Sequence, residues 1–149
     1  MERWLVPLGD RRGCGWDPKL IEDVQAAPNE RRPVADELVG AGGCLLPGVT
    51  GGGLAHCTLP PGSVSHAVRH ETVEEIWYFI AGSGQVWRRQ AERQETVDVS
   101  PGAAVTIPVG THFQFRNTGD APLEFVIATM PPWPGAAEAV RVADHWPVE

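Results

Sequence analysis

From residue 45 onward apolar residues recur at every second position, in short runs broken by glycine, proline and small polar residues. A period of two sends alternate side chains to opposite faces, which is the mark of half-buried strands. The runs predict strands over 54–59, 63–70, 75–81, 84–89, 95–99, 104–108, 112–117 and 123–130, entered through the flexible Gly51-Gly52-Gly53. Turns at Ala81-Gly82-Ser83-Gly84, Ser100-Pro101-Gly102 and Thr118-Gly119-Asp120 separate them, each with residues that preset φ or tolerate a positive one. Many short strands joined by frequent turns predict an all-β chain of antiparallel neighbours.

The first forty residues read differently. Trp4, Leu5 and Val6 suit an edge strand, and 17–25 carries the one helical pattern: Asp17 as N-cap, Pro18 at the first helical position, then Leu20, Ile21 and Val24 on one face. A polar loop follows over 26–33, and 34–39 reads as a second short helix or an extended piece. The chain divides into an extension at 1–44 expected to pack on the strand-rich body, that body at 45–130, and a tail at 131–149, all one domain. The tail opens on Pro131-Pro132-Trp133-Pro134 and is expected to cross the surface of that body or reach a neighbouring subunit.

Composition narrows the function. A chain of 149 residues buries about two-thirds of the surface its unfolded form exposes, enough for one core. Its net charge of −7, with Lys19 as the single lysine and no basic cluster, argues against nucleic acid. No apolar run reaches the length of a membrane span. The start, MERWLVPLGD, lacks a charged-then-apolar leader, and Cys14, Cys44 and Cys57 are an odd count without paired metal spacing, so a cytoplasmic protein with reduced thiols is expected. The partner these features leave is a small molecule.

Alternation also selects the candidate chemistry. His66, Val68 and His70 share one strand face, Glu75, Trp77 and Phe79 share another, and Phe113, Phe115 and Asn117 a third, while His112 falls opposite Phe113. The spacing is Gly62, five residues, Val68-Arg69-His70, four residues, Glu75, six residues, Gly82. About twenty residues on come Gly102, five residues, Pro108, Gly110, two residues, Phe113, three residues, Asn117. Over residues 53–130 the chain resembles the cupin superfamily, whose two motifs these are, with Val68 and Phe113 standing at two histidine positions. The resemblance implies a jelly-roll β-barrel enclosing one small ligand, and it places His70 and Glu75 at two of four metal-ligand positions.

Residues two apart in a strand lie roughly 6.6 Å apart, so a paired H-x-H grips one ion; here Val68 interrupts the pair. His66, four residues from His70, reaches the same ion only across a bulge, and His112 only if an irregularity after Gly110 rotates it inward. With both adjustments, His66, His70, Glu75 and His112 form a set suited to Fe(II), Mn(II), Ni(II) or Zn(II). Without them, His70 and Glu75 remain as a metal-free pair able to do general acid and base work. The expected ligand-facing set is Val68, Trp77, Phe79, Trp87, Phe113, Phe115 and Asn117, with Phe125 and Gln114 beside it, which favours an apolar or aromatic organic molecule. Arg69, Arg88 and Arg89 are rim candidates for an anion. Outward, Ile76, Tyr78 and Ile80 form an apolar stripe that a second copy would bury, so a homodimer is expected. Three function classes stay open: a metal-dependent dioxygenase, isomerase or cyclase; a metal-free isomerase, dehydratase or cyclase; and a non-catalytic sensor or carrier.

Overall fold

Alternation in sequence becomes alternation in burial along the strands at 53–59, 68–70, 74–81, 104–107 and 123–130. The computed structural model describes residues 32–33, 42–46 and 48–148; the expected edge strand at 4–6, the helix at 17–25 and the piece at 34–39 lie outside them. Eleven strands are described: β1 (Arg32–Pro33), β2 (Gly42–Leu45), β3 (Gly53–Leu59), β4 (Val68–His70), β5 (Glu74–Ala81), β6 (Gly84–Gln90), β7 (Arg93–Val99), β8 (Ala104–Ile107), β9 (His112–Asn117), β10 (Leu123–Met130) and β11 (Ala139–Arg141). They form two antiparallel sheets, one of six strands in the order β1-β2-β3-β10-β5-β8 and one of five in the order β11-β4-β9-β6-β7. Among the described residues no helix is long and apolar enough to cross a membrane.

Between the sheets lies an aromatic core. Trp77, Phe79, Phe113, Phe115 and Phe125 are each at most 2% exposed. Trp77 stacks on Phe125 at 4.8 Å and meets Phe113 and Phe115 edge-on at 5.3 Å. Aromatic pairs in such offset and edge-to-face arrangements gain about 1 kcal/mol beyond the area they bury. Gly82 shows what a motif glycine does here: its φ of +76° suits only a residue without Cβ, and a Cβ would stand 2.3 Å from the Pro122 carbonyl oxygen.

One predicted strand is much shorter than expected. Of 63–70 only Val68–His70 is regular, preceded by an isolated bridge from Val64 to Arg116. Ser65 and Ala67 are buried, and so are Val68 and His70, so burial changes parity between Ala67 and Val68. That break turns His66 away from the face His70 occupies.

The tail completes the second sheet. β11 pairs with β4, setting Ala139 opposite His70, and the chain then runs over the outer face of the five-stranded sheet. There Gln114, wholly buried, accepts from the backbone N–H groups of His145 and Trp146 at 2.8 and 2.7 Å, and donates to the carbonyls of Ser65 and Trp146 at 2.7 and 3.0 Å. All four hydrogen-bonding positions of one amide are used, so a polar residue in a packed layer is satisfied.

Candidate functional site

His70 ends β4 and Glu75 is the second residue of β5, so the three-residue turn at 71–73 brings an imidazole and a carboxyl together at one end of the aromatic core. His70 is 4% exposed and Glu75 5%. His70 Nδ1 stands 3.8 Å from Glu75 Oε1, beyond hydrogen-bond reach. The indole N–H of Trp77, two residues along the same face of β5, donates to Glu75 Oε2 at 2.7 Å. That bond fixes one carboxyl oxygen and leaves Oε1 turned toward the imidazole. Two ring edges enclose His70: Phe113 at 5.0 Å and Trp133, from the tail, at 5.1 Å. Thr129 of β10 is paired in register with Glu75 and buried beside it. Both His70 Nδ1 and Thr129 Oγ1 are buried without a hydrogen-bond partner among the described residues.

A third ionisable group completes the site. Glu138, 5% exposed at the end of the 3-10 turn Ala136–Glu138, accepts from the Thr72 and Val73 N–H groups, both at 2.6 Å, and from the Thr72 hydroxyl at 2.9 Å. Its carboxylate thus clamps the turn that joins His70 to Glu75. Burial works to raise the Glu138 pKa, but these three hydrogen bonds and the neighbouring His70 outweigh it and hold the group below the usual carboxylate range. Burial dominates the other two. It pushes His70 down to about 4, partly opposed by the negative charge of Glu138. It pushes Glu75 up to about 7, with Glu138 adding to the rise and the Trp77 hydrogen bond opposing it. Near neutrality the imidazole is uncharged and the Glu75 carboxyl is about half protonated.

The other residues singled out from the sequence are placed apart from this pair or fill the core. His66 looks outward, 3.8 Å from an Asp144 carboxylate oxygen of the tail. His112 lies on the outer face, 2.9 Å from Arg89, and burial together with the charges of Arg89 and Arg69 lowers its pKa. Val68 and Phe113 are register partners and fill the two remaining cupin ligand positions with buried apolar bulk. Only two donors therefore converge, and among the described residues no group of three or more His, Cys, Asp and Glu side chains is arranged to hold a metal ion. The donor set does not fit the expected ion.

Trp87 departs from its expected inner position. It pairs with Gln114 on the outer face, where His145 stacks on it at 4.7 Å with planes 1° apart; alternation gives the inner face to Val86 and Arg88 instead. Asn117 is buried, but its amide is spent on structure, donating to the carbonyls of Leu59 and Ala121 and accepting from Gly119 N–H. Trp77, Phe79 and Phe115 all pack against Phe125 in the core, and of the expected ligand-facing set the Phe113 ring and the Trp77 N–H contact the pair. Sequence reasoning missed Trp133, Glu138 and Thr129. The first two sit in a tail whose spacing carries no motif; Thr129 was legible as the inward position of β10 opposite Glu75.

The cupin domain model matches residues 55–129. An uncharacterized protein of Methanocaldococcus jannaschii is 31% identical over 80 residues, which are 54% of this chain and 61% of that protein, so the chain spans about three-fifths of that relative. KdgF from Halomonas sp. superposes with a TM-score of 0.57 at 18% identity, covering 64% of this chain and 82% of that one. A predicted oxalate decarboxylase of Thermotoga maritima gives 0.56 at 22% identity, with coverages of 68% and 91%. The oxalate decarboxylase of Lactobacillus farciminis gives 0.64 at 22% identity, with coverages of 72% and 33%. At these identities the likeness to solved structures shows the fold.

Proposed function

The chain belongs to the cupin family, and on that premise we propose that it is a small-molecule enzyme whose reactive centre is the buried pair His70 and Glu75, acting as acid and base without a bound metal. One observation carries this reading. A carboxyl and an imidazole, each about 5% exposed, face each other across 3.8 Å while one carboxyl oxygen is tied down by Trp77. Burying such groups costs several kcal/mol, which packing alone gives no reason to accept.

The roles follow from the atoms. A carboxyl titrating near 7 gives and takes a proton about equally well at neutral pH, the optimum for a general acid and base. Oε1 is the oxygen available for transfer, because Oε2 accepts the indole N–H. His70, neutral, offers Nδ1 as a hydrogen-bonding group, and Thr129 Oγ1 offers a second, so a polar substituent of the substrate satisfies both. A proton removed from substrate carbon onto Oε1 and returned at another carbon gives isomerisation with no net change in protons. The edges of Phe113 and Trp133 exclude water from the imidazole and favour an apolar or aromatic substrate.

The test is deuterium exchange. Enolisable aromatic and aliphatic ketones and esters are incubated in D2O and followed by proton NMR. Exchange that is lost in Glu75→Gln, and is unchanged by chelation or by added Fe(II), Mn(II), Ni(II) or Zn(II), supports the proposal. Exchange that requires the added ion contradicts it, and saturable ligand binding without exchange would make the chain a carrier or sensor. We also propose that the chain works as a homodimer, since Ile76, Tyr78 and Ile80 are 44 to 52% exposed along one sheet face.

A further inference from the structure

Arg88 does not behave as a surface arginine. It pairs in register with Phe113, an inner-face residue whose ring packs on His70, so Arg88 also projects from the inner face. Side chains directly opposite on one face have Cβ atoms roughly 5 Å apart. Arg88 is therefore an immediate neighbour of the wall that encloses His70. Its guanidinium spans the opening between the two sheets. Nη1 donates to the Thr106 carbonyl of edge strand β8 at 2.5 Å, and Nη2 contacts the carboxylate of Glu95 on β7, the edge of the other sheet.

A groove of about 640 Å³ opens at this point, with Arg88, Arg93, Glu95, Thr106, Pro108 and Thr111 in its walls. Two residues of its wall each hold a buried polar atom with no hydrogen-bond partner among the described residues: Arg88 Nε and Thr111 Oγ1. Thr111 is only 3% exposed. It belongs to the turn that hangs on the reactive end of the barrel, where Gly110 N–H donates to the His70 carbonyl at 3.1 Å. Buried donors left unmade cost free energy that an acceptor restores. The groove thus presents two guanidinium groups, of Arg88 and Arg93, against the single carboxylate of Glu95, with two unsatisfied donors in the wall behind them.

We propose that this groove binds the carboxylate of a small aromatic or apolar organic acid, anchored by Arg88, and that Glu95 holds the guanidinium in the ligand's absence. A planar carboxylate matches the arginine fork. A phosphate dianion would add a second negative charge beside Glu95 in a chain already at −7. The apolar residue in the groove wall is Pro108, and the body of the acid rests against it while Arg88 takes the carboxylate. That such an acid is the substrate of His70 and Glu75 rests on the reading given above; binding of the acid does not.

The probe is benzoate, with benzamide as its neutral counterpart and inorganic phosphate as the competing anion, titrated by calorimetry and by NMR of the Arg88 Nε–H and Thr111 amide resonances. Benzoate is expected to bind saturably and move both resonances, with benzamide and phosphate weaker by roughly tenfold or more. Arg88→Gln should lower benzoate affinity roughly tenfold or more, and Arg88→Lys should restore only part of it because an ammonium lacks the fork. Glu95→Gln, a change at an exposed position, should tighten benzoate binding by removing the competing carboxylate. A purely structural Arg88 to Glu95 contact predicts no such gain. Affinity should persist in His70→Ala, which separates failure of the anchor from failure of the reactive pair. Equal binding of benzoate and benzamide, phosphate binding tighter than benzoate, no saturable binding, or a loss of affinity in Glu95→Gln would each overturn the proposal.

Discussion

His70 and Glu75 bind protons in opposite senses on folding, so each conceals the effect of the other on stability. The Glu75 pKa is raised from 4.5 to about 7, so the folded chain holds that proton more tightly than the unfolded chain. Its stabilising effect is complete below 4.5 and is lost as pH rises through 7. The His70 pKa is depressed from 6.5 to about 4, so its contribution is present above 6.5 and is lost as pH falls through 4. At about 1.4 kcal/mol per pH unit, each group changes stability by about 3 kcal/mol across its own window. Between 4.5 and 6.5 the two slopes cancel, and this pair leaves the parent protein flat. Glu75→Gln exposes the histidine and His70→Gln exposes the carboxyl. Urea midpoints measured every half pH unit, taken as differences from the parent so that other carboxylates drop out, should show a rising difference curve for Glu75→Gln and a falling one for His70→Gln, each by about 3 kcal/mol between pH 4 and 7. Flat difference curves, or two curves of the same sign, would refute the opposed protonation on which the reasoning depends.

Glu138→Gln keeps the shape of the clamp but removes its charge; it should lower the Glu75 titration midpoint and cost about 1 to 3 kcal/mol in denaturation. Gln114→Ala removes three bonds to His145 and Trp146 of the tail and one to Ser65; a loss of about 3 kcal/mol and faster proteolytic cleavage after residue 130 are expected, measured by urea titration and limited digestion. The paired substitution Val68→His with Phe113→His restores both missing ligand positions beside His70 and Glu75, so divalent ions should raise its Tm while leaving the parent unmoved in the same thermal-shift series. Tyr78→Asp places a charge in the middle of the exposed Ile76 and Ile80 stripe and should convert dimer to monomer in sedimentation velocity; an unchanged sedimentation coefficient would remove that face as the interface.

Much of the fold was legible because period two and burial on one face are the same constraint. Strands β9 and β10 begin and end at the positions the pattern predicts, and Glu75, Trp77 and Phe79 alternate inward as read. The pattern failed where regular pairing fails. Counting by twos from His70 puts His66 on its face, but two consecutive buried residues, Ala67 and Val68, reverse the parity. Trp87 misleads for another reason: an outer face looks polar in sequence unless something covers it, and the cover here is His145, almost sixty residues away. Glu138 was invisible for the same cause, since its partners are backbone N–H groups of a distant turn and leave no trace in side-chain spacing. Arg88 was read as a rim charge; the register with Phe113 sets it inward.

The reactive pair requires an acid at position 75 that keeps its proton to neutrality beside an uncharged imidazole. Carbon-13 NMR of the Glu75 carboxyl and of the His70 ring, recorded together through a pH titration of the intact protein, measures this directly. A Glu75 midpoint near 7 with His70 titrating near 4 is the predicted result; a carboxyl that ionises in the ordinary range of roughly 4 to 4.5 while His70 protonates near 6.5 would contradict it.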